Sequence, residues 1–258
     1  MRGSIDMKKV EDKKGAHYSM WRGVAGLVKP TRRPGSLETL IRLLPEGIGV
    51  VPLLLDVRAG SHAEFSSAIP HYEKHVAELA EQGMDMIHPG GTPPFMLQGY
   101  KGEAKLIKSW EKKYKTPIFT SGQNHVHAMR ALGIKKFIGA SYSALQNKIV
   151  IDYMTEAGFK VVSMEPIDVP FNEAQHISPE RLYAHIKKLF RDNKGADGIY
   201  IQGGAWHTES IVELLEQDLQ VPVVHANIAP AWEILKRLSV REPRNGFGRL
   251  LRDLPEMV

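Results

Sequence analysis

GMDMIHPGGT at residues 83–92 and GADGIYIQGGA at residues 195–205 share one pattern, and this pattern decides the fold. Each copy runs from a glycine and an aspartate through a short apolar segment to a pair of glycines. The aspartates, Asp85 and Asp197, are 112 positions apart, and the prolines of the next apolar runs, Pro117 and Pro222, are 105 positions apart. Because each copy spans about half of the chain, we predict two similar α/β lobes that arose by duplication.

Short apolar runs alternate with amphipathic segments of helical length along most of the sequence. The predicted strands lie at 48–57, 84–91, 116–121, 135–141, 159–165, 198–204 and 221–227. The predicted helices lie at 71–83, 101–115, a segment ending near 131–133, 143–157, 179–192, 207–218 and 229–239. This alternation is typical of parallel sheets covered by helices. We therefore expect two pseudosymmetric Rossmann-like lobes, with the active site in the cleft between them.

Charge is concentrated near the beginning of the chain. Residues 1–35 contain nine Lys and Arg against three acidic residues, so the remainder is close to neutral although the whole chain carries +5. We predict a solvated basic arm at 1–35 that packs on a neighbouring subunit or frays, and we expect a homo-oligomer. Lobe 1 is predicted at 36–121, with a C-terminal helix (229–258) packing back on it, and lobe 2 at 122–228. Because no basic stripe runs through the lobes, nucleic acid is not an expected partner.

Composition excludes several classes of protein. The 258 residues are 43% hydrophobic and contain no apolar run of membrane-spanning length, and the first residues lack the apolar centre of a signal peptide. These features predict a cytoplasmic protein with no membrane partner. The cysteine count is zero, which rules out disulfides, thiolate metal sites and every mechanism that uses a cysteine nucleophile or acid.

The paired glycines predict where a ligand binds. At the carboxyl ends of parallel strands, paired glycines let the backbone approach an anion closely. The turns at Gly90-Gly91-Thr92 and Gly203-Gly204-Ala205 therefore predict a cleft that holds a carboxylate or an enolate. No GxGxxG follows the first predicted strand and no GxxxxGK[ST] occurs, so we expect no nucleotide and no other cofactor.

At this point the chain resembles a known family over roughly residues 48–240. It is similar to the aspartate/glutamate racemase superfamily, and in particular to its branch of maleate cis-trans isomerases and arylmalonate decarboxylases. The matching residues are Gly91-Thr92, Thr116-Pro117, Arg130-Ala131-Leu132-Gly133, Ala140-Ser141-Tyr142, the segment from Gly198 to Thr208, and VPVVHANIAPAW at 221–232. The resemblance implies two pseudosymmetric lobes with the active site between them, in agreement with the repeat.

The resemblance also implies roles that this chain cannot fill. Racemases and isomerases of the family place a cysteine after a strand in each lobe, and the decarboxylases keep only the second. Our alignment puts these two positions at Gly91 and Gly203, so thiol chemistry is excluded. The groups that the resemblance assigns to binding the carboxylate or enediolate are retained: Thr92 with its adjacent amides, Tyr142, and the amides of Gly203 and Gly204.

A group other than cysteine must then move the proton. We predict His207 as the catalytic base because it follows the second glycine pair at the start of a predicted helix, where the pKa of an imidazole is lowered. His88 and His225 lie at equivalent strand ends, and Asn124 and His125 open a helix. These four are predicted to bind substrate.

These residues predict a cofactor-independent lyase or isomerase that acts on a small carboxylate through an enediolate. Two alternatives stay open at this point. The first is a His-dependent hydrolase or hydratase, with a metal held by histidines as a variant that no HExxH motif supports. The second is a catalytically inactive protein that binds a small molecule.

Overall fold

The computed structural model describes residues 20–258, in which seven strands form two parallel sheets. The strands are β1 (Gly23–Lys29), β2 (Ile48–Leu54), β3 (Met86–Pro89), β4 (Lys136–Ser141), β5 (Lys160–Pro166), β6 (Gly198–Ile201) and β7 (Val223–His225). The first sheet has the order β2-β1-β3, and the second has the order β5-β4-β6-β7. A single parallel bridge between Ile87 and Ile118 extends the first sheet at the place that β7 takes in the second. The two sheets therefore have the same strand order.

The two halves of the chain repeat a hydrogen bond as well as a sequence pattern. Asp85 accepts the backbone N–H of Val24 at 2.7 Å, and Asp197 accepts that of Lys136 at 2.8 Å. Both the aspartates and the two residues that they bind are 112 positions apart. The predicted fold, an α/β protein with two pseudosymmetric lobes, is confirmed.

Helices cover both sheets. They are α1 (Ser36–Leu43), α2 (His62–Ser66), α3 (Ile69–Glu81), α4 (Thr92–Met96), α5 (Tyr100–Tyr114), α6 (Ser121–Ala131), α7 (Ala144–Glu156), a 3₁₀ helix (Phe171–His176), α8 (Pro179–Asp192), α9 (Ile211–Leu219), α10 (Ile228–Arg237) and α11 (Arg249–Asp253). Within residues 20–258, every helix is too short or too polar to span a membrane.

Local sequence explains why these helices form where they do, and α8 is the clearest example. The hydroxyl of Ser178 accepts the backbone N–H of Arg181 at 3.2 Å, and Pro179 occupies the first turn, where a missing N–H costs nothing. The buried residues Leu182, Ile186 and Leu189 recur at helical spacing, so one face of α8 packs on the second sheet.

The prediction of an arm over residues 1–35 is wrong from residue 20 onward. Residues 23–29 form β1, which lies at the centre of the first sheet, and all but its first residue are buried. A strand that is covered on both faces is apolar throughout, and the basic residues around GVAGLVK obscured this pattern. Residues 1–19 lie outside the described part of the chain.

Three other predicted boundaries change. The run 116–121 forms one bridge instead of a strand, because Pro117 has no N–H to donate to a ladder. The helix predicted at 207–218 begins only at Ile211. The C-terminal helix predicted at 229–258 consists of α10 and α11, with Pro243 and two positive-φ glycines between them, and α10 packs on both α1 and α6.

Candidate functional site

A cavity of about 150 Å³ lies between the two sheets, at the carboxyl ends of their strands. One residue at or directly after the end of each of five strands lines this cavity. These residues are Lys29 of β1, Gly90 after β3, Tyr142 after β4, Gln202 after β6 and Ala226 after β7. A cavity of this volume holds a molecule of about the size of benzene. The duplication therefore builds the site, because it brings equivalent strand ends to one space.

Two cations of the first half line this cavity. Lys29 is 6% exposed, and its Nζ donates to the carbonyl of Thr31 at 2.9 Å and to that of Arg33. The Arg33 guanidinium donates to the carbonyl of Phe171 and lies 4.2 Å from the centre of its ring. Burial lowers the pKa of both side chains. In the described part of the chain neither forms a salt bridge, so their charges are left for a ligand.

Tyr142 faces the same cavity from the end of β4 and is held on three sides. Its hydroxyl oxygen accepts the backbone N–H of Ala205, and its ring makes edge-to-face contacts with Trp206 at 4.9 Å and with Phe171 at 6.4 Å. Burial raises the pKa of Tyr142, so the phenol stays protonated. Because the Ala205 amide uses the oxygen as an acceptor, the hydroxyl proton remains free to bind a ligand oxygen.

Gly91 and Thr92 both line the cavity, as predicted, but the Gly91 amide is not free. It donates to the hydroxyl of Ser121 at 3.1 Å, so Ser121 is the group that presents a hydroxyl proton there. Gly91 has a φ of 97°, and a Cβ at this position would lie 2.7 Å from the Tyr72 hydroxyl. A side chain is therefore disfavoured at Gly91 for both conformational and steric reasons.

Gly203 lies outside the cavity wall, whereas Gly204 is part of it. The fully buried Trp206 ring covers Gly203, and a Cβ there would lie 2.0 Å from a ring atom. The residue that the second half presents at this strand end is Gln202, whose N–H donates to Ala140 just as the N–H of Gly90 donates to Val28. The Trp206 indole thus fills the space at Gly203, the second position that we aligned with a family cysteine.

His88 lies at the cavity wall in β3 and is 3% exposed. Its Nδ1 contacts the carbonyl oxygen of Phe119 at 2.8 Å, and its ring stacks on the Phe119 ring at 4.5 Å. Burial lowers the pKa of His88 to about 4, and the hydrogen bond to the Phe119 carbonyl offsets only part of this shift. His88 is therefore a neutral imidazole at pH 7.

His125 lines the cavity from α6, but its functional nitrogens are enclosed. Its Nδ1 lies 2.7 Å from the Tyr200 hydroxyl, and its Nε2 is buried without a hydrogen-bond partner. Burial lowers the pKa of His125 to about 3, with a further contribution from His88 and a partial offset by the Ala226 backbone. Asn124 points away from the cavity, since its amide donates to the Ala229 carbonyl and to Glu233.

The structure does not bring His207 or His225 to the cavity wall. His225 Nδ1 accepts the backbone N–H of Asn227 at 3.1 Å, and its Nε2 lies 3.0 Å from the Thr208 hydroxyl, so both nitrogens are used within the fold. His207 packs over Gly35, four residues before α9 begins. The prediction that His207 stands at the start of a helix is therefore wrong.

Sequence reasoning missed eight polar residues of the wall: Lys29, Thr31, Arg33, Ser36, Ser121, Gln146, Gln202 and Asn227. The 112-residue offset contains the signal for two of them, because it maps Ser141 of the strand end before Tyr142 onto Lys29, and Gly90 onto Gln202. Arg33 and Gln146 lie in segments whose course no local pattern determines.

Carboxylates are absent from the cavity wall as the described residues form it. Within residues 20–258, no three His, Asp or Glu side chains come together in a way that could hold a metal ion. With neutral histidines, the wall therefore carries positive charge only. Such a space suits a small anion, whose oxygens the two cations and the Tyr142, Thr92 and Ser121 hydroxyls can bind.

The fold and the cleft define a two-lobed α/β protein with a positively charged cavity between its lobes. The family model described as "Arylmalonate decarboxylase" matches residues 42–251, and the chain belongs to that family. Arylmalonate decarboxylase from Bordetella bronchiseptica is 22% identical over 189 residues, which cover 72% of this chain and 79% of that protein. Maleate isomerase from Pseudomonas putida is 22% identical over 231 residues, which cover 86% and 91%.

Solved structures show the same fold. The crystal structure of the maleate isomerase Iso from Pseudomonas putida S16 has a TM-score of 0.83 at 19% identity, and the match covers 90% of this chain and 99% of that one. A mutant of that isomerase was solved with maleate, at a TM-score of 0.80. The family membership that the sequence motifs predicted is confirmed.

Proposed function

We propose that this protein is a cysteine-independent lyase or isomerase that acts on a small carboxylate through an enediolate-type intermediate. The observation that carries this proposal is a cavity whose wall, as residues 20–258 form it, holds two cations without a salt bridge and no carboxylate. A ligand carboxylate placed against Lys29 and Arg33 neutralises their buried charge, which water in so small a space does poorly. Maleate bound to a relative of the same fold supports a carboxylate as the ligand class.

Stabilisation of the intermediate follows from the same groups. When electrons move from the reacting carbon into the carboxylate, negative charge builds up on the carboxylate oxygens. Tyr142, Thr92 and Ser121 offer hydroxyl protons that are already in place, together with the Gly204 backbone, and fixed donors of this kind stabilise such charge without reorganisation. No step of this scheme needs a thiol.

Ligand-dependent unfolding tests the proposal. The protein is heated with methylmalonate, maleate, phenylmalonate or succinimide, and turnover of each compound is followed by NMR. We expect a carboxylate to raise Tm, since a ligand at about 100 times its Kd stabilises by about 2.7 kcal/mol. Lys29→Met should abolish the shift, whereas Lys148→Met, at an exposed lysine, should leave it unchanged.

The outcomes separate the candidate functions. Turnover of a carboxylate supports the lyase or isomerase, and addition of water to the substrate supports a hydratase in which a histidine activates water. Stabilisation without any turnover supports a binding protein. If no carboxylate stabilises the protein and the uncharged imide does, the proposal is wrong.

A further inference from the structure

The hydrogen bonding of His88 fixes which of its nitrogens carries the proton. Nδ1 lies 2.8 Å from the carbonyl oxygen of Phe119, and a carbonyl can only accept. The proton of the neutral ring is therefore on Nδ1. Nε2 is left with a free electron pair, which is the form that a general base requires.

Nε2 of His88 is open to the cavity. In the described part of the chain it makes no hydrogen bond. Unlike Nε2 of His125, it is not fully buried. It lies 3.6 Å from the point where a Cβ on Gly90 would be, so the glycine turn after β3 leaves the space in front of it empty. Of the two histidines of the wall, His88 is the one whose nitrogen a ligand can reach.

The ring is also held in place. Phe119 stacks on it with an angle of 17° between the planes, and the Arg237 guanidinium lies 5.0 Å from the centre of the Phe119 ring. A base that is fixed by stacking and by a backbone carbonyl needs little reorganisation before proton transfer.

Neighbouring charges agree with a neutral ring. Burial dominates, Glu233 of α10 raises the pKa of His88 and Arg237 lowers it, and the result is about 4. The other titratable groups of the cavity wall are His125 of α6, which burial keeps neutral, and the cations Lys29 and Arg33. The free electron pair on Nε2 therefore persists throughout the neutral pH range.

We propose that His88 Nε2 is the catalytic base that removes a proton from the carbon next to the substrate carboxylate, and that the reaction is an isomerisation of a carboxylate bearing an α C–H bond. This inference rests on the proposed function. The C–H bond breaks, its electron pair enters the enediolate, and the proton moves to Nε2, which gives an imidazolium. Return of this proton to the same or a neighbouring carbon forms the new C–H bond and restores the neutral ring.

The resting state of His88 separates this reaction from decarboxylation. Loss of CO2 leaves the electron pair on the substrate carbon at once, so in a decarboxylation His88 would have to begin as the acid that donates a proton to this carbon. Nε2 of neutral His88 has no proton, and Nδ1 keeps its proton bound to Phe119. An isomerisation needs a base first and an acid second, and one histidine supplies both in that order.

The test has a structural and a kinetic part. Side-chain ¹⁵N NMR at pH 7 should show His88 with its proton on Nδ1, and the ring should titrate near pH 4. In D₂O, recovered methylmalonate, lactate or succinate should gain deuterium at the α-carbon. The His88→Asn variant keeps a donor for the Phe119 carbonyl but lacks Nε2, so we expect exchange to fall at least 100-fold with little change in Tm. His71→Asn, at an exposed position of α3, is the matched control.

Each result has one meaning. A His88 proton found on Nε2, or exchange that persists in folded His88→Asn, overturns the assignment of the base and leaves the proposed function standing. Deuterium that appears only in a product that has lost CO2 overturns isomerisation. If methylmalonate raises Tm but no carboxylate exchanges, the proposed catalytic function fails, and the base role fails with it.

Discussion

At the scale of single residues, Tyr142 shows how the fold prepares a donor. Two aromatic rings and the Ala205 amide hold the phenol, and none of these contacts uses its proton. The family resemblance indicated this residue at the end of a predicted strand, and the structure adds the reason for its orientation.

Tyr142→Phe should separate catalysis from folding. The ring contacts are kept and only the hydroxyl is lost, so we expect the exchange rate to fall by about 10²–10³. The loss of an acceptor for the Ala205 amide should cost about 1 kcal/mol. NMR measures the exchange rate, and urea unfolding measures the change in stability. An unchanged rate would remove Tyr142 from the mechanism.

Gly203 is a second informative residue, because the structure leaves no room for a cysteine side chain at this position. Gly203→Cys places a Cβ on the Trp206 ring, so we expect a loss of about 1–3 kcal/mol by overpacking and no new activity. Gly204→Cys is the matched control, since its Cβ would have no neighbour nearer than 3.6 Å. Thermal unfolding compares the two, and equal stability would contradict the position of Trp206.

At the scale of elements, β1 is the segment that the sequence concealed. Its charged flanks suggested an arm, yet its burial and its position between β2 and β3 make it the centre of the first sheet. It also carries Lys29 to the cavity. The strands predicted correctly, such as β4 and β5, each follow a glycine that ends the preceding helix, Gly133 and Gly158.

Two substitutions in the region predicted to be an arm test whether β1 is a buried strand or part of a solvated arm. Val28→Ser removes a fully buried side chain and inserts a hydroxyl, and should cost about 2–4 kcal/mol. Arg32→Ser changes an exposed residue four positions away and should stay within about 0.5 kcal/mol. Urea unfolding measures both, and a mild effect of Val28→Ser would favour the arm.

The contact between α6 and α10 depends on one buried carboxylate. Glu233 is fully buried and binds Asn124, His127 and Arg237. Burial alone would raise its pKa, but the hydrogen bond from His127, the charge of Arg237 and the Asn124 amide lower it below the ordinary value. Stability from this group is therefore complete above the pKa of the unfolded chain and is lost as pH falls through the lower pKa of the folded state.

Glu233→Gln should show this dependence on pH. At pH 7 the substitution leaves Arg237 and His127 without their partner, and we expect a cost of about 1–3 kcal/mol, since both partners are partly exposed. The difference between wild type and variant should narrow as pH falls below the ordinary pKa of a glutamate, about 4.3. Urea unfolding at pH 7 and pH 3.5 measures it, and a difference that is constant with pH would argue against an ionised Glu233.

At the scale of the whole molecule, the two halves share their strand order but contribute different chemistry. The first half supplies Lys29, Arg33 and His88, whereas the second supplies Tyr142, Gln146 and Gln202. This asymmetry suits a reaction in which one side holds the anion and moves the proton while the other donates hydrogen bonds.

The sequence was sufficient for this architecture, because strand–helix alternation and a repeat of fixed offset are local patterns. It placed Gly91, Thr92, His88 and Gly204 at the cleft because all four lie next to strand ends, and the family resemblance added Tyr142. It misplaced His207 and Gly203, because the start of α9 and the position of the Trp206 ring depend on packing between distant segments. Arg33 and Gln146 reach the cleft through tertiary contacts that have no local signal.

A crystal structure of the protein with methylmalonate tests the central claim most directly. We expect one carboxylate in the cavity between the sheets, within hydrogen-bonding distance of Lys29 Nζ, the Arg33 guanidinium and the Tyr142 hydroxyl, with the α-carbon facing His88 Nε2. A carboxylate bound only outside this cavity, while the cavity holds water beside both cations, would contradict the account.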